Sequence, residues 1–517
     1  MQYLSLCFLG FFSVLLSQNA TAQLAQNLMI GNPKALALGH AVTADPPGID
    51  SIHFNPAGLA RLKGRQRELK IIAADASITA EFTSTEEFDA LQEETGIYDS
   101  VANTESDINS FAAYIPGAGF TELPVTVAPL GGISVQKPGS NVTFATGVYA
   151  PFMMGMARDD DDPGRFVGRE LAITRLTYFS PSIGVQMTET FAVGVSVGFS
   201  YVGVGIDLDF RASNYGLART QGMFNEICAN EDPDSLPINV CGGEINPYET
   251  LINMQMDLNN PFSLTMNVGF LWDVTPWFTV GMVWQSPSTD KVEGDLVMTY
   301  SDGLIGFTEG VSETIDIPAQ AKVIETKGST EIETAQHIAL GVSLQLLPDI
   351  KVNVDLKWTE TSVWDELVFE LDEPDPMLGI MGNFIEGIEE DKLIFPRGYE
   401  NSMNWAIGIE YAYSDVLALR VGYEPRKSGI PEDKRDFFLP IGDMDLYAIG
   451  FSYLPDSTSV FDVSLGYAKS VQDIPVGSST NGNDTRADNF LYNPYAGLDV
   501  KTELSMVMLE LSYRSEF

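Results

Sequence analysis

Five residues have the spacing of a catalytic motif: Gly194-Val195-Ser196-Val197-Gly198 reads as the Gly-x-Ser-x-Gly of a nucleophile elbow. That chemistry needs a sharp strand-to-helix turn that presents the serine, and a base beside it. The pentapeptide instead lies inside an unbroken alternating run, and only His40, His53 and His337 could serve as base. The reading is therefore of a protein that is not an enzyme. Asp159 to Asp162 gathers four adjacent acids that would attract Ca²⁺, but an EF-hand loop spaces its ligands alternately. No metal ligands and no cofactor are assigned. Cys228 and Cys241 lie in a polar, Asn/Asp/Glu/Pro-rich segment, where an oxidising compartment favours joining them as a disulfide over leaving two buried thiols.

The formal net charge is −42, which argues against a nucleic-acid partner. The acids cluster in apparent loops, at Glu86-Glu87, Asp159 to Asp162 and Glu389 to Asp391. Such loops are either simply solvated or bridged by divalent cations to anionic lipopolysaccharide. The composition (44% apolar, 10% aromatic, 46 Gly, 19% charged) permits a membrane-embedded sheet. Leu4 to Leu16 is an apolar run followed by Ala20-Thr21-Ala22, the pattern of a signal peptide over 1–22 with Gln23 first in the mature chain. Beyond it no apolar stretch reaches the ~18 residues that a spanning helix needs. A membrane protein built this way must be a closed barrel, because open sheet edges leave backbone groups unsatisfied in lipid.

Period-two patterning supports the barrel. Val507, Leu509, Leu511, Tyr513 and Phe517 share one face of the last strand, with Met508, Glu510, Ser512, Arg514 and Glu516 opposite. Phe191 to Tyr201 alternates large apolar residues with Ala192, Gly194, Ser196, Gly198 and Ser200; small inward residues there predict open space in a lumen. After Tyr201 the apolar parity flips, through a bulge or because the strand rises beyond the membrane. About fourteen strands are expected from 65 to 517, with short turns at one end and long insertions at the other, notably 84–123 and 211–254. Residues 23–64 lack strand patterning. Asn55-Pro56 there starts a short helix, with Asn as cap and Pro in the first turn.

In these features the chain resembles the outer-membrane long-chain fatty acid transport proteins (FadL-type, including transporters of aromatic hydrocarbons). The resemblance is carried by Phe54-Asn55-Pro56-Ala57-Gly58-Leu59, by Gly147 to Phe152, by Val167-Gly168-Arg169 to Pro181-Ser182, by Asp355 to Thr359, by Arg420 to Glu424, and by the tail Leu511 to Phe517. It implies an all-β fold: a monomeric transmembrane antiparallel β-barrel of about fourteen strands in the outer membrane of a Gram-negative bacterium, among lipid and lipopolysaccharide. An N-terminal helical hatch would plug it. Hydrophobic ligands would enter passively among extracellular loops and leave sideways where the third strand kinks. Asn55, Pro56 and Ala57 are then expected to be structural in the hatch and to gate indirectly. Gly147 and Pro151 mark the kink and lateral exit, because Gly and Pro interrupt pairing. Phe111, Tyr114, Ile115 and Phe120 are the candidate groove, and Phe152, Met153, Met154 and Met156 border the inner pocket, Met adapting to varied apolar shapes. A carboxylate ligand would call for an Arg or Lys, and Tyr201 to Gly205 offers none; Arg158, Arg165, Arg169 and Arg175 lie nearby. Alkanes or aromatics compete with fatty acids as the cargo, and a porin or purely structural barrel competes with transport.

Overall fold

The computed structural model describes residues 30–108, 111–123, 126–230, 238–312, 320–383, 385, 387–486 and 492–517. The expected signal peptide and residues 23–29 of the expected hatch lie outside them.

Fourteen antiparallel strands close on themselves. In chain order they are β1 Arg65–Ser84, β2 Thr126–Gln136, β3 Val142–Ala157, β4 in two pieces (Glu170–Phe179 and Ser182–Gln186), β5 Phe191–Phe210 and β6 Ile252–Thr275. Then come β7 (Phe278–Gln285 and Ser288–Tyr300), β8 (Val323–Thr334 and His337–Leu347), β9 (Ile350–Thr359 and Glu366–Leu371) and β10 (Lys392–Pro396 and Ser402–Ser414). The wall finishes with β11 Leu417–Arg426, β12 Met444–Asp456, β13 Ser459–Ile474 and β14 Leu498–Glu516. Closure is made by β14 on β1, in register from Gln66↔Glu516 to Ser84↔Leu498. On β14, Val507, Leu509 and Tyr513 are exposed outward while Met508, Glu510 and Ser512 are buried inside, as the alternation requires.

Most strands are longer than the roughly 9–11 residues that cross a bilayer, β5 having 20 and β6 24 against 10 for β11. Their side chains show where the membrane ends. On β5 the even-numbered residues face inward along the whole strand. Outward, Phe191 to Phe199 are apolar, whereas Asp207 and Asp209 higher up bond to Asn253 on the outer face of β6. The parity flip in the sequence therefore marks the strand leaving the bilayer. The accompanying irregularity lies in the neighbour, between Asn260 and Ser263 of β6.

Inside the lower half sits the amino-terminal segment, with helix α1 Pro33–Ala37, helix α2 Ser51–Phe54 and a 3-10 turn Pro56–Arg61. The 3-10 turn packs on β3 to β6 and α1 on β11 to β14. The expected lumen space beside Ala192, Gly194 and Ser196 is thus occupied, which corrects that expectation. The upper half is filled by a large apolar cluster that includes Val202, Ile206, Phe210, Met256 and Met298. The 84–123 insertion forms helix α3 Glu86–Thr95, a strand Thr104–Ile108 beside the top of β1, and a hairpin Phe111–Ile115/Gly119–Leu123. The 211–254 insertion carries helix α4 Tyr215–Asn230, tied to its own loop by the Cys228–Cys241 disulfide. A helix at Asp302–Ser312, a short helix at Pro376–Met381 and the loop residues 427–443, 475–486 and 492–497 also cover the top and were not singled out in the sequence.

Candidate functional site

The Asn-Pro-Ala motif is a junction between the inner segment and the wall. Asn55 caps the 3-10 turn by accepting from the Ala57 N–H at 3.2 Å, and its amide donates to the carbonyls of Thr43 (2.8 Å) and Phe270 (3.0 Å). Asn55 is fully buried, so each of these bonds replaces one that water would make. Ser196, the would-be nucleophile, donates to the Ile52 carbonyl at 2.8 Å from the middle of flat β5, so the elbow geometry is absent.

The wall meets this segment through glycine. A β-carbon added to Gly194, Gly269, Gly281, Gly408 or Gly422 would stand closer than 3.0 Å to Pro56, Asn55, Thr43, Leu38 or Gly39 respectively. Real β-carbons essentially never stand that close, so glycine is required where the inner segment's backbone, or at Gly269 the Asn55 side chain, lies against the wall. Charged wall residues are neutralised in the same contact. Lys70 bonds Asp50 at 2.7 Å; Asp355 accepts the Val42 and Thr43 N–H groups; Glu424 holds Lys357 at 2.6 Å and His40 at 2.9 Å. The inward faces are therefore not uniformly small and uncharged, as β5 alone suggests. Several carry ions that the inner segment pairs.

The register of the third strand changes at Pro151, while Gly147 is still paired with Gly132. β3 pairs with β2 only from Gln136↔Thr143 to Gly131↔Val148, and Ser180 bridges Gly147 by accepting from its N–H and donating to its carbonyl. Against β4 the register slips between Tyr149 and Phe152. Odd residues (Thr143, Ala145, Tyr149) face inward before the slip; Phe152, Met154 and Met156, opposite Arg175, Ile173 and Leu171, face inward after it. Pro151 sits within the slip and has no N–H to give to a ladder. A β-carbon on Gly147 would make only ordinary contacts at 3.4 Å and beyond, so space does not dictate glycine there.

Above the inner segment, Pro151 and Phe152 line a cavity of about 80 Å³ with Ile173, Val202 and Ile332. Arg175 projects into it but is held by Asp290 at 2.8 Å, Ser288 and Thr334. Higher still, Phe166, Phe210, Phe369, Phe395 and Phe438 surround a second apolar cavity of about 40 Å³. Its cation, Arg397, is paired with buried Asp436 at 2.7 Å. Burial pushes the Asp436 carboxyl up, and Arg397 opposes that. Arg165 and Arg169 likewise face Asp209 and Asp207, while Arg158 lies over Phe437 and beside Asp162.

The remaining candidate residues separate. Phe111 pairs with Met156 and packs with Met154, near the kink. Met153 lies opposite Thr174 and, like Met154, packs against the buried cluster that includes Ile72, Leu446 and Met506. Tyr114 and Phe120 pack over Gly203 and Gly205 on the outer face of β5, with the Tyr114 hydroxyl on Asp257 and its N–H on Thr174. Ile115 is exposed beside them. These three do not form a groove with Phe152 and the inward methionines. Sequence reasoning missed the upper aromatic cavity and the glycine contacts. The many glycines within strand patterns were the available signal for the latter. Asp162, in the acidic run, caps the 3-10 turn Pro163–Val167, and Asp160 pairs with Arg169 at 3.0 Å. Among the described residues, no group of three or more His, Cys, Asp or Glu could hold a metal ion.

A family profile described as outer membrane protein transport protein (OMPP1/FadL/TodX) matches residues 13–517. Among solved structures, the chain is similar to a FadL homologue of Pseudomonas aeruginosa, at 16% identity and TM-score 0.66, covering 95% of this chain and 99% of that one. The Ralstonia pickettii toluene transporter TbuX aligns at 15% identity and TM-score 0.58, covering 95% and 99%. The P. putida toluene transporter TodX aligns at 14% and 0.59, covering 96% and 99%. At these identities the likeness establishes the fold. No curated protein sequence matches significantly.

Proposed function

Because the chain belongs to the OMPP1/FadL/TodX family of outer membrane transport proteins, we propose that it takes up uncharged hydrophobic molecules passively and releases them sideways between β2 and β3. The amino-terminal segment acts as the hatch, the barrel works as a monomer in the outer membrane, and no chemical step or energy source is involved. The path starts at the upper aromatic cavity, passes to the cavity at the kink, and leaves where β3 has parted from β2. An apolar lining desolvates the cargo, and lateral release spares it a second passage through water. Both cavities are small, so passage needs side chains such as Phe152 to move.

One observation favours uncharged cargo. The cations facing the two cavities, Arg175 and Arg397, are each engaged by a buried carboxylate. A fatty-acid headgroup would have to displace Asp290 or Asp436 and leave it unpaired, which costs several kcal/mol. The description of two solved relatives as toluene transporters agrees with this reading. Fatty acids are the second reading, supported by the FadL homologue. Uptake of radiolabelled toluene, hexadecane and oleate into cells expressing the protein separates the two. Toluene or hexadecane entering faster than in cells lacking it, with oleate unchanged, supports the proposal. Oleate alone would replace it.

A further inference from the structure

The wall has a second break, and it touches the same cavity as the β3 kink. The upper pieces of β8 and β9 share three paired positions, from Gly328↔Leu371 to Thr330↔Phe369. Pairing resumes only where the Glu360 N–H meets the Gln336 carbonyl, followed by His337↔Thr359. Between these points β8 faces a 3-10 turn, Thr361–Val363, and no ladder bonds are formed. Side chains join the two sides: the Trp364 indole N–H donates to the Glu333 carbonyl at 3.0 Å, and at the lower edge the Gln336 amide donates to the Glu360 carboxylate at 2.7 Å. Inside the gap, Ala335, Ile332 and Trp364 line the kink cavity. Outside it is a polar recess of about 570 Å³, and Glu333 borders both spaces. A single layer of side chains separates the inner cavity from the surface.

The recess fixes the height and the selectivity. On the adjoining outer face of β7, Lys291 pairs with Glu293 in solvent, so this part of the wall stands above the lipid-facing band. Unpaired strand edges are tolerable there because water can satisfy them. The recess carries five carboxylates (Glu331, Glu333, Asp365, Glu366 and Glu370) against two ammonium groups, Lys291 and Lys392. Its field repels anions.

We propose that this gap is a side entrance. Uncharged apolar molecules gathered among the outer-leaflet headgroups reach the kink cavity past Trp364, without passing the extracellular loops. The entrance rests on the proposed transport reading only for its purpose; its existence is testable without transport. Ala335→Cys places a thiol at the inner end of the gap, while Cys228 and Cys241 are already joined to each other. In outer-membrane vesicles, labelling is followed with N-ethylmaleimide, which is neutral, and with sulfonatoethyl methanethiosulfonate, which is anionic. Each rate is normalised to the reagent's rate with a free thiol.

The neutral reagent is expected to label Ala335→Cys, about tenfold faster when Trp364→Ala removes the gate. The anionic reagent should lag by about tenfold, as expected for a like-charged rim. Deleting Ala150, which removes the slip at the kink, should lower hydrocarbon uptake at least tenfold and leave this labelling unchanged. Labelling insensitive to Trp364→Ala, labelling lost on deleting Ala150, or equal rates for the two reagents would each overturn the proposal. Absence of any hydrocarbon uptake by the unaltered protein, with labelling as expected, would instead overturn the transport reading and leave the gap standing.

Discussion

Asn55 shows how much one amide can hold. It satisfies two carbonyls from different parts of the chain and one helix N–H, all without access to water. Asn55→Ala leaves the Thr43 and Phe270 carbonyls without these donors, a loss of about 1–3 kcal/mol per buried group. The expected outcome is a lower midpoint of thermal unfolding in detergent, together with flickering ion current in planar bilayers as the inner segment loosens. Gly194→Val should do the same more severely, since its side chain needs the space that Pro56 occupies. Gly147→Ala should leave both readings unchanged, having only ordinary contacts to make. The Asn-Pro-Ala turn was legible because caps and Pro positions are local rules. The glycine contacts were not: along β5, a glycine facing an empty lumen and one facing a plug present the same sequence.

At the scale of elements, β3 and the hairpin carry the lessons. Gly147 and Pro151 drew attention to β3, and its register changes through the extra residue between Tyr149 and Phe152, which swaps the faces of everything after it. Deleting Ala150 should restore one inward–outward alternation along β3 and lower hydrocarbon uptake at least tenfold, with folding retained as judged by heat-modifiable migration. The hairpin illustrates the opposite case. Phe111-Ala112-Ala113-Tyr114-Ile115 reads as a greasy loop patch, and no local pattern distinguishes ligand lining from packing on an outer wall. Tyr114→Ala is expected to leave hydrocarbon uptake within twofold, while making the hairpin more open to added protease as its stacking on Tyr201 and bond to Asp257 are lost. Reducing the Cys228–Cys241 disulfide should sensitise the α4 loop to protease and leave the barrel intact, because the two cysteines are only 13 residues apart and neither belongs to a wall strand.

For the whole molecule, closure was the most legible property. Alternation, turn spacing and the apolar face of β14 are repeated along hundreds of residues, so errors at single boundaries average out. The tertiary features behind the proposed route were hidden because each joins residues distant in sequence. Arg175 meets Asp290, Arg397 meets Asp436, and the kink shares a cavity with β8. Together they describe a barrel blocked along its axis and interrupted in its side. Steady ion current through it should be small, and hydrophobic uptake should depend on the wall. The most direct test is toluene and hexadecane uptake by cells expressing the unaltered protein or the Ala150 deletion at equal surface levels, with single-channel recording of both. Lateral release from a plugged barrel requires rapid uptake only in the unaltered protein and little steady current in either. Undiminished uptake by the deletion, or a large steady current in the unaltered protein, would contradict it.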